Sequence, residues 1–226
     1  MSSSRVYRLV GWGLGLAAGV WLVANLFSDL VLGGQDPTHA SSSLYGPVQA
    51  VSFVAGTVTA LALTGHYARR FGAFGKLALT GLIALFLSIV VFGAISAIGA
   101  TFVPWLEASA AGRQMISGNN GPAALFVFFI AATLLQVVGC ITYGLANWRA
   151  GMSRIAAALL IASGVLAVPG FIAGGPDSNI PAVIGDIPGL LFVAGLALLG
   201  AEVALERKVG KKAGQTLTPA AAGRTA

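Results

Sequence analysis

The sequence predicts an all-α polytopic integral membrane protein, a bundle of about six transmembrane helices with both termini in the cytoplasm. Three observations lead to this prediction. Only 9% of the 226 residues are charged, whereas a soluble domain carries about 25%, so much of the surface must face lipid. Apolar segments long enough to cross a bilayer recur along the chain. The connections between these segments alternate between basic and acidic character, as membrane loops do.

The apolar segments have about the 20 residues that a helix needs to cross the hydrocarbon core. In chain order they span residues 8–32, 47–67, 77–103, 123–147, 155–174 and 187–205. Pro169 lies inside the fifth segment, which membrane helices tolerate when neighbouring groups satisfy the freed backbone. Residues 1–208 are therefore predicted to form one transmembrane domain. Residues 209–226 are rich in Gly, Ala, Thr and Lys and are predicted to form a flexible basic tail.

The positive charges predict the orientation of the bundle. Twelve of the thirteen Lys and Arg residues fall on one side of the predicted membrane, and only Arg113 falls on the other. Five of the seven acidic residues share the side of Arg113, namely Asp29, Asp36, Glu107, Asp177 and Asp186. Because basic loops stay in the cytoplasm, this partition predicts cytoplasmic termini. The net charge of +6 is thus a signal of topology, and the lipid bilayer rather than nucleic acid is the expected partner.

A glycine repeat marks the first apolar segment. Part of it, GLGLAA, matches the dinucleotide fingerprint G-x-G-x-x-A, but that site needs a strand-to-helix turn in water, and here the apolar run continues without a turn residue. Gly11, Gly15 and Gly19 instead lie along one helix face, where a second backbone can approach closely. This helix-packing groove is predicted to contact another helix of the chain, the alternatives being a second copy or another membrane protein.

Polar side chains inside the apolar segments are candidate functional residues, because inserting an Asp or Lys costs about 2.5–3.5 kcal/mol. The fourth segment carries a polar stripe on one helical face, formed by Thr133, Gln136, Cys140, Tyr143 and Asn147. In the first segment, Asn25 and Asp29 share the face of the glycines. These residues form a candidate polar path. The favoured alternative for the stripe is hydrogen bonding between helices, and for Asp29 the equal alternative is an interfacial acid that reaches water.

His66 lies near the cytoplasmic end of the second segment, in GHYARR. It is predicted to reach the membrane interface, the alternative being a proton relay, which would need buried acidic partners. The sequence has no nucleophile, Walker, H-E-x-x-H or C-x-x-C motif, and its one cysteine and two histidines have no metal-ligand spacing. No catalytic residue, metal site or cofactor is therefore predicted.

Three functions follow from these features. The favoured one is a non-catalytic accessory, assembly or interaction partner that docks through the glycine groove. The second is a small transporter or channel with a path along Asn25, Asp29 and the stripe at Gln136, and the third is a membrane-embedded lipid-modifying enzyme. A transporter predicts a hydrated cavity that reaches Gln136, whereas an accessory protein predicts a closed bundle. The composition resembles that of small Ala/Gly-rich multi-pass bacterial membrane proteins, which predicts an inner or plasma membrane location.

Overall fold

The structure, a computed structural model, describes residues 3–32, 42–117, 123–173 and 182–205. These residues form seven α-helices and no β-strand, which confirms the predicted all-α class. The helices are α1 (Ser3–Leu30), α2 (Tyr45–Arg70), α3 (Lys76–Glu107), α4 (Ala110–Ser117), α5 (Ala123–Arg149), α6 (Arg154–Ala173) and α7 (Ala182–Leu205). A short 3-10 helix, Phe71–Ala73, follows α2.

Five of these helices, α1, α2, α3, α5 and α7, are long and apolar enough to cross a membrane. Helix α6 has 20 residues, and its apolar part, Arg154–Pro169, is shorter than a full span. The helices therefore indicate a multi-pass membrane protein. Their bounds follow the predicted segments closely, with two differences: α4 is an additional short helix, and α7 begins at Ala182 rather than at 187. The predicted tail, 209–226, lies outside the described residues.

The six long helices form a closed ring in which neighbours along the chain are also neighbours in space. Each packs on the next, α3 packs on α5, and α7 returns to α1. Adjacent helices run in opposite directions: between Gly11 and Gly15 of α1, the contact on α7 moves back from Gly200 to Ala197. One end of the ring consequently carries Arg8, Arg69, Arg149 and Arg154 and is called the basic end here. The opposite, acidic end carries Asp29, Glu107 and Asp186.

Glycines allow neighbouring helices of the ring to approach closely. A Cβ atom at Gly11 would overlap the backbone of α7 at Gly200, and a Cβ atom at Gly200 would overlap Gly11 in return. Between α3 and α5, a Cβ at Gly81 would lie 2.5 Å from the backbone nitrogen of Tyr143. In lipid, such close packing replaces the hydrophobic effect as the force between helices.

The half of the ring near the basic end has a filled interior. All six long helices contribute fully buried side chains to it, so no open channel crosses this half among the described residues. The largest are Leu14, Leu63, His66, Leu85, Tyr143, Leu160, Leu196 and Leu199. The half near the acidic end is different, because it contains a cavity.

Candidate functional site

A cavity of about 420 Å³ lies inside the ring, in the half near the acidic end. All six long helices contribute to its wall, so the cavity lies on the axis of the ring. The polar side chains in the wall are Asn25, Asp29, Gln49, Ser96, Thr133, Gln136 and Asp186. The aromatic side chains are Trp21, Phe92, Phe129 and Phe192. Apolar walls with a few convergent polar groups are typical of sites for small molecules.

Among the residues that helix α1 supplies to the wall are Trp21, Asn25 and Asp29. They are four residues apart, a spacing that places side chains one above another on a single helix face. The Asn25 amide nitrogen donates a hydrogen bond of 2.9 Å to the backbone oxygen of Trp21. This bond uses one of the two N–H donors of the Asn25 amide and holds the side chain against its own helix, so the side-chain oxygen is the acceptor that Asn25 offers to a ligand.

The acids Asp29 on α1 and Asp186 on α7 form a carboxyl pair at the cavity, with side chains close enough for a hydrogen bond between them. Two carboxyl groups can make such a bond only when one of them carries a proton, because two adjacent carboxylates repel each other. The Oδ2 atom of Asp186 is buried and has no hydrogen-bond partner among the described residues. A hydrogen bond within the pair would therefore hold one exchangeable proton in the wall of the cavity.

The sequence placed Asp186 in a loop, and this was wrong because α7 begins four residues before it. The segment GDIPG has the composition of a turn, but Pro188 is accommodated inside the helix. The neighbour predicted for Asp29 was Asn25 alone, whereas the structure adds Asp186 from the other end of the chain. Gln49 and Ser96 were also missed. Gln49 lies inside the second predicted segment, so the insertion-cost argument applied to it equally, but Ser96 carries no such signal.

The polar stripe of α5 divides into two parts. Thr133 and Gln136 line the cavity, whereas Cys140, Tyr143 and Asn147 are fully buried between the cavity and the basic end. The Thr133 hydroxyl donates to the backbone oxygen of Phe129 on its own helix at 3.0 Å. The seven residues of the predicted path are thus not one continuous lining: four line the cavity, and the other three belong to the closed interior.

The buried part of the stripe contains a hydrogen bond between two helices that are not adjacent in the ring. His66 Nδ1 on α2 lies 2.7 Å from the Tyr143 hydroxyl on α5, and α3 separates these two helices in the ring. The ring of Phe74 packs against both side chains. The favoured interpretation of His66, a side chain that reaches the interface, was wrong, because His66 is 0% exposed. The hydrogen-bond partner of His66 is the phenol of Tyr143, whereas a proton relay was expected to need a carboxylate. The proton relay therefore stays a prediction.

Two atoms of this buried cluster lack hydrogen-bond partners among the described residues, His66 Nε2 and Asn147 Oδ1. The Asn147 amide nitrogen donates to the backbone oxygen of Tyr143 at 2.7 Å. A hydrogen bond contributes about 0.5–1.5 kcal/mol, whereas each buried polar atom without a partner costs about 1–3 kcal/mol. On balance, the polar atoms of the cluster are therefore more stable in contact with water than in the closed interior.

The glycine groove faces the chain's own α7 over part of its length. Gly11 contacts Gly200 and Ala204, and Gly15 lies against Ala197. No atom lies within 4 Å of the Cβ position at Gly19. Gly11 is buried in this contact, so the groove at Gly11 is filled and does not present a free surface to another protein.

No group of three or more His, Cys, Asp or Glu side chains that could hold a metal ion occurs in the part of the chain that the structure describes. No protein-family model, no curated protein and no solved structure matches the chain. The function must therefore be argued from the cavity itself.

Proposed function

We propose that the protein is a small membrane transporter that binds a small organic cation in the cavity of the ring. The observation that carries the proposal is the convergence of polar side chains and a carboxyl pair, from separate helices, on one cavity. A transporter is favoured over an open channel because the interior between the cavity and the basic end is filled. The alternatives are the accessory role and the lipid-modifying enzyme.

The chemistry of the wall favours a cation. The two acids, Asp29 and Asp186, are the ionisable side chains among the described lining residues, and none of these residues is Lys, Arg or His. Asn25, Gln49 and Gln136 add amide oxygens, which accept hydrogen bonds from an ammonium group. Charged side chains in a membrane interior typically mark such substrate and ion pathways.

The size and the aromatic lining favour an organic cation over a bare metal ion. The volume of about 420 Å³ lies within the range of roughly 300–1,000 Å³ that is usual for small-molecule sites. The faces of Trp21, Phe92 and Phe192 attract a positive charge and also bury apolar substituents. A protonated amine or a quaternary ammonium ion with short alkyl groups fits both features.

Exchange of a proton for the cation follows from the carboxyl pair. In the proposed cycle, Asp29 and Asp186 share one proton while the cavity is empty, so the pair then carries a single negative charge. When an ammonium ion binds, the proton leaves to water at the acidic end and the cation neutralises the second charge. The net charge of the site is then unchanged, which avoids the cost of a doubly charged pair in the membrane. Influx of the organic cation would accordingly be coupled to proton efflux.

A binding and transport experiment tests the proposal. Tetramethylammonium is added to the purified protein in detergent and to proteoliposomes that enclose a pH-sensitive dye. We expect the cation to raise the melting temperature of the wild type, because a ligand at a hundred times its Kd stabilises by about 2.7 kcal/mol. We also expect a change in internal pH when the cation is added outside.

The variants Asp29→Asn and Asp186→Asn should lose both responses. Glu107→Gln is the matched control, since it removes one negative charge at the same end of the ring and Glu107 does not line the cavity. This control should behave as the wild type does. Responses that persist unchanged in both Asp variants, or a folded wild type that shows no response to tetramethylammonium or alkylammonium ions, would refute the proposal and favour the accessory role.

A further inference from the structure

We infer that the hydrogen bond between His66 and Tyr143 is the closure that separates the cavity from the basic end, and that breaking it opens the interior toward that end. The part this closure plays in transport rests on the proposed function. Its effect on water access does not, and can be measured without any ligand.

The position of the bond along the axis supports this inference. On α5, Gln136 lies in the cavity wall, and Tyr143 follows seven residues later toward the basic end. At 1.5 Å per residue, the Tyr143 backbone lies roughly 10 Å beyond Gln136 along the helix. A molecule that moved from the cavity toward the basic end along this face of α5 would therefore pass Cys140 and then meet the ring of Tyr143.

The choice of helices that the bond joins also supports the inference. The side-chain hydrogen bonds from Ser88 to Ala132 and from Ser163 to Pro188 join helices that are adjacent in the ring. The bond from His66 to Tyr143 joins α2 to α5 past the intervening α3, so it lies on the inner side of α3, within the ring. A bond between adjacent helices holds the wall together, whereas a bond between helices that are not adjacent occupies space in the interior.

The surroundings of the bond explain why the closure can open. Leu63 and Leu85 pack into the same buried cluster as Tyr143 and exclude water while the bond is intact. The atoms His66 Nε2 and Asn147 Oδ1 have no hydrogen-bond partner there among the described residues. Opening lets water reach both atoms and so offsets the loss of the one hydrogen bond. Packing and the hydrogen bond between His66 and Tyr143 stabilise the closed arrangement. The buried atoms without partners, His66 Nε2 and Asn147 Oδ1, favour the open arrangement.

Cys140 provides a reporter that is already in the chain. It is the single cysteine, it is 0% exposed, and it lies one helical turn from Tyr143 on the cavity side. The experiment measures the rate at which a membrane-impermeant thiol reagent modifies Cys140 when the reagent is applied to the basic end, in sealed vesicles of defined orientation.

The variants Tyr143→Phe and His66→Leu each remove one partner of the bond and put an apolar side chain of similar size in its place. We expect both to be modified about threefold faster than the wild type, the ratio that corresponds to the loss of one hydrogen bond of about 0.6 kcal/mol between helices in lipid. The double variant should be no faster than either single variant. Tyr67→Phe is the matched control: its ring stacks on Phe74 at 5.7 Å in the same aromatic cluster, and it should keep the wild-type rate.

The inference is overturned if either variant folds, with the melting temperature of the control, and Cys140 keeps the wild-type rate from the basic end. It is also overturned if Tyr67→Phe accelerates modification as much as Tyr143→Phe does, since that would indicate general loosening. Faster modification in Tyr143→Phe, in a protein that binds no organic cation, would refute the proposed transport function and still support the closure.

Discussion

The contact between α1 and α7 closes the ring, and one alanine should separate these helices measurably. In Gly11→Ala, the new Cβ atom would lie 2.6 Å from the backbone nitrogen of Ala204 and closer still to the backbone oxygen of Gly200. Both neighbours are backbone atoms of a helix, which cannot rotate away as a side chain can. We therefore expect the two helices to move apart rather than absorb the methyl group.

The magnitude follows from the distances. Ordinary contact begins at 3.4 Å, so the helices must separate locally by about 1 Å, and a gap of that size forfeits a quarter to a half of each atom-pair attraction. Summed over the contact, overpacking of this kind costs about 1–3 kcal/mol. Against this, alanine is favoured over glycine inside a helix by about 0.8–1.0 kcal/mol. The two contributions partly cancel, so the net change in the free energy of unfolding for Gly11→Ala alone is small.

Comparison with Gly19→Ala separates the cost of the overlap from the gain in helix propensity. Gly19 lies two turns further along the same helix, and nothing lies within 4 Å of its Cβ position, so the substitution gains the same helix propensity without the overlap. The free energy of unfolding, measured by circular dichroism during titration from mild detergent into dodecyl sulfate, should be about 1–3 kcal/mol lower for Gly11→Ala than for Gly19→Ala. Equal stability of the two variants would refute the close contact between α1 and α7, and with it the closed ring.

The remaining predictions concern the walls and the interior of the ring. Ser163→Ala removes the hydrogen bond of 2.8 Å to the Pro188 backbone oxygen, and the same unfolding titration should show a loss of about 0.6 kcal/mol, whereas Thr101→Ala, whose hydroxyl bonds to its own helix at an exposed position, should lose less. In Gly139→Ala, the new Cβ would lie 2.7 Å from the Leu85 backbone nitrogen, and this variant should be less stable than Gly19→Ala by about 1–3 kcal/mol. In the wild type, Cys140 should not react with a membrane-impermeant thiol reagent from the acidic end until the protein is denatured, because the thiol is fully buried; rapid reaction from that end would show that the cavity extends past Gln136.

The fold class could be predicted from the sequence because the membrane imposes a local rule. A spanning helix must satisfy its own backbone and must be apolar over about 20 residues, so each span is visible in its own stretch of sequence. The closed ring is not a local property. The repeat at Gly11 and Gly15 indicated that a backbone approaches there, but the partner, Gly200, lies at the far end of the chain, and nothing in the glycine pattern identifies it.

The candidate site could be predicted only where it depends on a local sequence pattern. Asn25, Asp29, Thr133 and Gln136 were found because each lies in a helical pattern within a single segment. The pair that gives the cavity its chemistry depends on where α7 begins, and the sequence around Asp186 has the glycines and the proline of a turn. Local composition suggested a loop, whereas the helix begins at Ala182 and includes both Asp186 and Pro188.

The buried cluster contains polar atoms of the α5 stripe and of α2 that hydrogen bonds between helices leave without partners among the described residues. In lipid, a hydrogen bond between helices contributes about 0.6 kcal/mol. The bond from Tyr143 to His66 leaves His66 Nε2 and Asn147 Oδ1 buried without partners among the described residues, and two such atoms cost several times as much as one bond returns. Leucine at these positions would give a more stable interior at no cost in hydropathy. A closed interior that carries such a cost lies closer in free energy to an open one, and this small difference is what the proposed closure at His66 and Tyr143 requires.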